Sequence, residues 1–97
     1  MQAYITKVHG TEGSYRKVAD EVLVEPLPGL ILHAAGDGDD GGRWIVEVWE
    51  SVEAEERFAR ERLFPALERL GLTDPPTLRR SIAVDNVAGA LASASVA

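Results

Sequence analysis

The sequence predicts an α+β fold in which two helices cover one face of a four-stranded antiparallel sheet. Four segments have the composition of strands, being either rich in β-branched and aromatic residues or almost continuously apolar, and two others have apolar residues at helical spacing. These segments follow one another in the order β-α-β-β-α-β. The chain has 97 residues, of which 45% are hydrophobic and 27% charged, a composition that suits a single globular domain.

The first strand and the first helix are predicted near the N-terminus. Residues 3–8 (AYITKV) are mostly β-branched or aromatic and end at a His-Gly pair, as strands often do. Thr11 is a suitable N-cap, and the apolar positions of residues 12–24 have the spacing of an amphipathic helix. Pro26 and Pro28 end this helix, because proline lacks a backbone N–H and restricts the residue before it.

A β-hairpin is predicted from two apolar runs that flank a loop of glycine and aspartate. The runs are residues 29–35 (GLILHAA) and 43–50 (RWIVEVWE), and every residue of 36–42 is Gly or Asp. The letters GDGDDG match the GxGxxG pattern of dinucleotide sites. That pattern requires a helix after the loop, whereas here a strand follows, so we predict a plain hairpin turn without a phosphate or calcium.

The second helix and the last strand complete the domain. Ser51 is the predicted N-cap, Gly71 the predicted end, and Pro65 predicts a bend or a break between Arg62 and Ala66. The last strand is predicted within residues 77–87. This order of elements is the ferredoxin-like plan. Residues 1–88 are expected to form the domain, and residues 89–97 a flexible Ala/Ser tail.

Charge and composition exclude several classes of partner. The net charge of −6 is unfavourable for binding nucleic acid, and the absence of cysteine excludes disulfides and thiolate chemistry. We expect no metal site, because the two histidines are far apart and no cluster of histidines and carboxylates has ligand spacing. We find no signal sequence and no apolar run long enough for a membrane span, so a cytoplasmic protein without membrane contact is expected.

Alternation along the hairpin divides its residues into two sets. The wholly apolar set is expected beneath the helices, because burying His33 or Glu47 without a partner would cost several kcal/mol. The mixed set would then be uncovered, and a second copy packing sheet to sheet is expected to cover it in a two-chain barrel. The mixed set is Ile31, His33, Ile45, Glu47 and Trp49, and the apolar set is Leu30, Leu32, Ala34, Trp44, Val46 and Val48.

The mixed set supplies the candidate site. His33 is the candidate acid or base, with Glu47 fixing its tautomer, while Trp49, Ile31 and Ile45 would contact a ligand. Tyr4 and Arg80 are further ligand-contact candidates, although the sequence leaves open whether Tyr4/Thr6 or Ile5/Lys7, and Arg80 or Arg79/Ser81, share this face. The alternatives are a structural His33, satisfied across the dimer interface, and a Trp49 that belongs to the core.

Three segments resemble the small dimeric α/β-barrel proteins, in particular the antibiotic-biosynthesis-monooxygenase-like group. They are PGLILHAAG (28–36), RWIVEVWES (43–51) and FARERLFPAL (58–67), and the resemblance extends over residues 2–88. It implies a homodimer with a ligand site between the sheet and the helices of each chain. The superfamily includes cofactor-free monooxygenases, polyketide cyclases, lactone isomerases, haem-degrading enzymes and proteins with no known reaction.

The resemblance implies an enzyme without a cofactor, either monooxygenase-like or cyclase- or isomerase-like, that acts on a small apolar molecule of aromatic or polyketide-like type. A strand histidine is the acid or base in relatives that cyclise polyketides, which implies the same role for His33. The tryptophan–asparagine pair of the oxidising relatives has no evident counterpart, because Asn86 is the only asparagine and lies late in the last strand. Neither His9 nor His33 is expected on a helix, where the haem-degrading branch has its axial ligand. The alternative is a non-catalytic homodimer that binds a metabolite or stabilises a partner protein.

Overall fold

The computed structural model describes residues 1–89 and has the expected order of elements. The sheet is antiparallel with strand order β2-β3-β1-β4, so the predicted α+β, ferredoxin-like fold is confirmed. The tail expected at 89–97 lies, apart from Gly89, outside the described residues. The strands are β1 (Gln2–Val8), β2 (Leu30–Asp37), β3 (Arg43–Trp49) and β4 (Leu78–Ala83), and the helical segments are α1 (Glu12–Val22), α2 (Val52–Phe58) and α3 (Phe64–Leu70).

A side chain caps the start of each helix, Thr11 for α1 and Ser51 for α2. An arginine of the second helix donates hydrogen bonds to the backbone just after α1. The Thr11 hydroxyl accepts from the Ser14 N–H at 3.3 Å, and the Ser14 hydroxyl accepts from the Thr11 N–H at 2.9 Å, which forms a capping box. Helix α1 ends two residues before the predicted boundary. The Arg62 guanidinium donates to the carbonyls of Val24 at 2.7 Å and Pro26 at 2.6 Å, so the segment after α1 is fastened to the second helix.

Proline changes the second helix without breaking it. Segments α2 and α3 are joined by a π-helical turn, Ala59–Leu63, in which the Phe64 N–H donates to the Ala59 carbonyl five residues earlier. Pro65 has no N–H for the carbonyl four residues before it, and a wider turn just ahead of it accommodates that loss. The irregularity expected between Arg62 and Ala66 is therefore present, as two α-helical segments joined by a π-helical turn. Gly71 ends the helix in the left-handed conformation, with φ of +71°.

The Gly/Asp loop is the predicted hairpin turn. Gly38 donates to the Gly42 carbonyl at 2.7 Å, and Gly41 takes φ of +81°, which favours glycine. The Asp40 carboxylate accepts from Lys7 Nζ at 2.9 Å, the Gly42 N–H at 2.8 Å and the Trp44 indole at 3.2 Å. These donors, Lys7 foremost, hold the pKa of the Asp40 carboxyl well below its usual range. A fixed negative charge at this turn is unfavourable for a phosphate.

The apolar core lies between the two helices and between the helices and the sheet. Val18 and Val22 of α1 meet Ala66 of α3 at its centre. Trp49 at the end of β3 is fully buried, and its ring lies 5.2 Å from that of Phe58. Around the centre of the core pack Leu23, Phe58, Leu63, Leu67, Leu70 and Leu72.

Within residues 1–89 no helix is long and apolar enough to cross a membrane.

The two faces of the sheet are the reverse of the prediction. Tyr15 of α1 bonds His33, and Phe58 of α2 packs on Trp49, so the mixed set lies beneath the helices. His33 and Glu47 can be buried there because they pair with each other at 2.7 Å, which offsets the cost of removing them from water. The strand register places the opposite set on what we call the outer face: Ala3, Ile5, Lys7, Leu32, Ala34, Trp44, Val46, Val48, Leu78, Arg80 and Ile82.

Strand β2 contains a β-bulge at its start. Leu30 pairs with Trp49 and Leu32 pairs with Val48, so Ile31 is an extra residue in the ladder. From His33 onward the pairing is regular, and His33 lies opposite Glu47, which keeps the two on one face as predicted.

Candidate functional site

A chain of hydrogen bonds runs through three polar side chains beneath the helices, and we call it the Tyr15–His33–Glu47 relay. The Tyr15 hydroxyl lies 2.6 Å from His33 Nε2, and His33 Nδ1 lies 2.7 Å from Glu47 Oε2. The second carboxylate oxygen of Glu47 accepts from the Trp49 indole N–H at 3.2 Å. Every polar atom of His33 and Glu47 therefore has a partner in the chain.

The fold positions each member of the relay. His33 and Glu47 are direct partners across the β2–β3 hairpin, where opposite side chains on one face are neighbours. Tyr15 comes from α1, and its ring stacks on that of His33 at 6.1 Å between centroids. The side chains of His33 and Glu47 remain 15% and 18% exposed, so the edge of the relay is in contact with solvent.

The hydrogen-bond partners indicate how protons are arranged in the relay. An ionised carboxylate only accepts hydrogen bonds, so His33 donates to Glu47 through Nδ1–H. In the neutral imidazole the other nitrogen, Nε2, then accepts the proton of the Tyr15 hydroxyl. The arrangement can pass a proton from Tyr15 to His33, since Glu47 stabilises the imidazolium that results.

A buried arginine lies over the ring of Tyr15. The Arg43 guanidinium is 4.5 Å from the centre of the Tyr15 ring, a cation–π contact. Burial raises the pKa of the Tyr15 hydroxyl, and the positive charge of Arg43 opposes part of that rise. Tyr15 is therefore held as a neutral donor near neutral pH, beside a charge that favours its ionised form.

A second polar cluster lies along the same face, nearer strand β4. Arg79 donates to Glu55 of α2 at 2.7 Å and lies 4.4 Å from the centre of the Tyr4 ring. The other carboxylate oxygen of Glu55 is buried and has no hydrogen-bond partner within residues 1–89. Burial, and then the charge of Glu55, raise the pKa of the Tyr4 hydroxyl. Tyr4 is the register partner of Glu47, so the two clusters adjoin.

Both tyrosines of the chain should therefore ionise late. In the folded protein, the absorbance of tyrosinate at 295 nm is expected to rise only above the ordinary tyrosine pKa of about 10. The folded state keeps these protons longer than the unfolded chain, so their stabilising effect is complete below that pH and is lost as pH rises through the folded pKa. Spectrophotometric titration without and with urea gives the tyrosine pKa of the folded and of the unfolded chain, and the Tyr15→Phe variant leaves Tyr4 as the only tyrosine that titrates. A folded protein whose tyrosines titrate at the ordinary pKa would contradict the prediction.

The structure brings some of the predicted site residues together and separates others. Tyr4 and Ile45 share the helix-facing side with His33 and Glu47, whereas Arg80 lies on the outer face, with Arg79 in its place. Trp49 is fully buried and offers no surface to a ligand, and Ile31 is the extra residue of the bulge.

Sequence reasoning missed the tyrosine and the arginine of the site. Tyr15 occupies an apolar position of the first helix, and only its hydroxyl signals a polar partner in the core. Arg43 has the same strand parity as Glu47, which could have placed it on the same face.

Within residues 1–89 no three His, Cys, Asp or Glu side chains are grouped as metal ligands.

Comparison with known proteins gives the fold a context. No family model and no curated protein matches the chain. A candidate antibiotic biosynthesis monooxygenase from Chloroflexus aurantiacus J-10-fl is similar in structure, with a TM-score of 0.66 and 18% identity over 91% of this chain and 96% of that one. Rv0793 from Mycobacterium tuberculosis is also similar, with a TM-score of 0.68 and 16% identity over 91% of this chain and 98% of that one.

A third similar structure binds a porphyrin. It is a variant of MhuD with two manganese protoporphyrin IX molecules bound per active site, and its TM-score is 0.59 at 19% identity over 92% of this chain and all of that one. The chain thus has the fold of antibiotic-biosynthesis-monooxygenase-like proteins. At these identities the likeness establishes the fold alone.

Proposed function

We propose that this chain is a small-molecule enzyme that transfers a proton at an acidic C–H or O–H group of an apolar, aromatic or polyketide-like substrate. The observation that carries the proposal is the Tyr15–His33–Glu47 relay, a hydrogen-bonded acid–base chain that remains partly open to solvent. His33 and Glu47 are its catalytic pair, and Tyr15 is the group that meets the substrate. The step uses no cofactor, because the side chains themselves accept and return the proton.

The relay would act in two proton-transfer steps. The Tyr15 oxygen accepts the proton of the substrate while its own proton passes to His33 Nε2, 2.6 Å away, and Glu47 stabilises the imidazolium. Return of the proton to a different atom of the substrate gives an isomerised product. Where the carbanion first attacks a carbonyl carbon of the same molecule, a C–C bond forms, the proton returns to the resulting alkoxide oxygen, and the product is cyclised.

A homodimer is part of the proposal. The outer face exposes Val46 and Ile82 in the isolated chain, together with other apolar side chains at the middle of the sheet. A second copy packed on this face would cover them and leave each relay on the side of its own helices. This agrees with the dimeric barrel that the resemblance implies.

A porphyrin does not belong to the proposal, although MhuD binds one. Both ring nitrogens of His33 are already engaged, by Tyr15 and Glu47, so neither is free to ligate a metal. His9 lies outside the helices, at the end of β1, with Thr77 as its neighbour.

The test is proton exchange on aromatic ketones with acidic C–H groups. Deuterium incorporation in D₂O, followed by NMR on a panel that includes 1-tetralone, should be catalysed by the protein. His33→Gln and Tyr15→Phe should lower the rate by about 10²- to 10⁴-fold, since each removes a member of the acid–base chain. His9→Gln, which changes the other histidine, is the matched control and should leave the rate unchanged. Equal rates in all variants would contradict the proposal.

A non-catalytic homodimer is the second candidate, and one observation favours it. His33 is satisfied on both nitrogens by groups of its own chain, as a structural histidine would be. In that case His33→Gln should lower the melting temperature clearly, and no member of the ketone panel should exchange above background with the unmodified protein.

A further inference from the structure

The buried arginine beside the relay has an incomplete set of partners. The side chain of Arg43 is 8% exposed, and its Nε–H is buried with no acceptor among the described residues. Its ion pair is a single contact from Nη1 to Asp37 at 3.3 Å, which is long for a charge-assisted hydrogen bond. The Asp37 side chain is 68% exposed, so most of that carboxylate interacts with water.

Such a charge is costly unless something compensates it. A buried guanidinium has five N–H donors and needs close, well-oriented acceptors to offset its loss of hydration. Arg79, the arginine of the neighbouring cluster, has a 2.7 Å bond to the buried Glu55 and is itself more exposed. Arg43 is thus the cation of this face with the weaker partner, and it lies 4.5 Å from the centre of the Tyr15 ring.

We propose that Arg43 binds a carboxylate of the substrate, and that Asp37 occupies this position when no substrate is bound. This inference rests on the proposed function and narrows its substrate class to aromatic or polyketide-like acids. A substrate carboxylate could form the paired, parallel hydrogen bonds that a guanidinium favours, which the single contact with Asp37 does not provide. The acidic group would then hold the reacting atoms next to the Tyr15 hydroxyl.

The position of Asp37 makes exchange with a ligand straightforward. Asp37 is the last residue of β2, at the edge of the hairpin loop, and among residues 1–89 its carboxylate bonds only to Arg43. Moving it into water costs one long hydrogen bond and leaves the backbone of the strand in place. The competition between the two carboxylates predicts that removing the charge of Asp37 strengthens ligand binding.

The experiment compares two probes of one shape and different charge. Binding of 2-naphthoate and of the neutral 2-naphthamide is measured by titration calorimetry on the full chain. The unmodified protein should bind 2-naphthoate at least about tenfold more tightly than the amide, as a hydrogen bond to a charged group gives. Arg43→Met should abolish this preference, while Arg80→Met, on the outer face, should retain it.

A second variant keeps the test informative if Arg43→Met does not fold. Asp37→Asn should bind 2-naphthoate several-fold more tightly than the unmodified protein, a gain that a purely structural Arg43–Asp37 pair would not produce. Equal affinity for the two probes, no detectable binding of 2-naphthoate, or unchanged affinity in Asp37→Asn would overturn the inference. A charge preference without proton exchange on the ketones would support the Arg43 site and reject the acid–base function, so the two failures are distinguishable.

Discussion

Replacing Trp49 with alanine is expected to lower the free energy of unfolding by about 3–5 kcal/mol, the usual cost of truncating a buried aromatic side chain. Trp49 is the largest fully buried side chain of the described residues, and it packs on Phe58 at 5.2 Å between ring centroids. Its loss also removes the N–H that Glu47 accepts at 3.2 Å, so one end of the relay loses its support. Urea unfolding monitored by circular dichroism measures the change.

The control for this prediction is a second aromatic residue that is exposed. Phe64 begins α3 and faces water, so Phe64→Ala should change the free energy of unfolding by less than about 0.5 kcal/mol. Similar losses in the two variants would show that the layer between helices and sheet is not where the stability of this domain resides.

Replacing Val46 with glutamate is expected to convert the proposed homodimer to a monomer. Val46 lies in the middle of the outer face, between Ala34 on β2 and Ile5 on β1. A carboxylate there would be buried without a partner in a sheet-to-sheet dimer, at a cost of several kcal/mol per chain. Light scattering should give twice the chain mass of 10.5 kDa for the unmodified protein and a single chain mass for Val46→Glu.

A valine elsewhere on the surface gives the matched control. Val52 is 39% exposed, against 37% for Val46, but it begins α2 on the opposite side of the sheet. Val52→Glu adds the same charge and should leave the mass at two chains. The outer-face dimer is wrong if the unmodified protein is a monomer at every concentration, or if Val46→Glu remains a dimer.

The elements were predictable because their signals are local. The spacing of apolar residues in α1, the cap at Ser51 and the Gly/Asp loop each depend on a few neighbouring residues, and the structure has all three. The π-helical turn before Pro65 was not predictable in the same way. A missing donor can be accommodated by a break, a kink or a wider turn, and the packing of the helix on the sheet decides among them.

The orientation of the sheet was not predictable from polarity. His33 and Glu47 have the correct relative register, but the expectation that polar residues face away from the helices was wrong. It treated each side chain separately, whereas the pair satisfies itself and recruits Tyr15 and Trp49. A partner that comes from a distant helix cannot be counted before the fold is known, and that is why Tyr15 was missed. Arg43 lies on β3 itself, and its parity with Glu47 was the signal that could have found it.

The bulge at Ile31 has a consequence for how the length of this chain can vary. Because Leu30 and Leu32 already pair with consecutive residues of β3, a chain lacking Ile31 could form an uninterrupted ladder with His33 still opposite Glu47. Loss of one residue between His33 and the loop would instead shift the pairing and turn His33 away from Tyr15. Deletions among homologues should therefore be tolerated before the histidine and excluded after it.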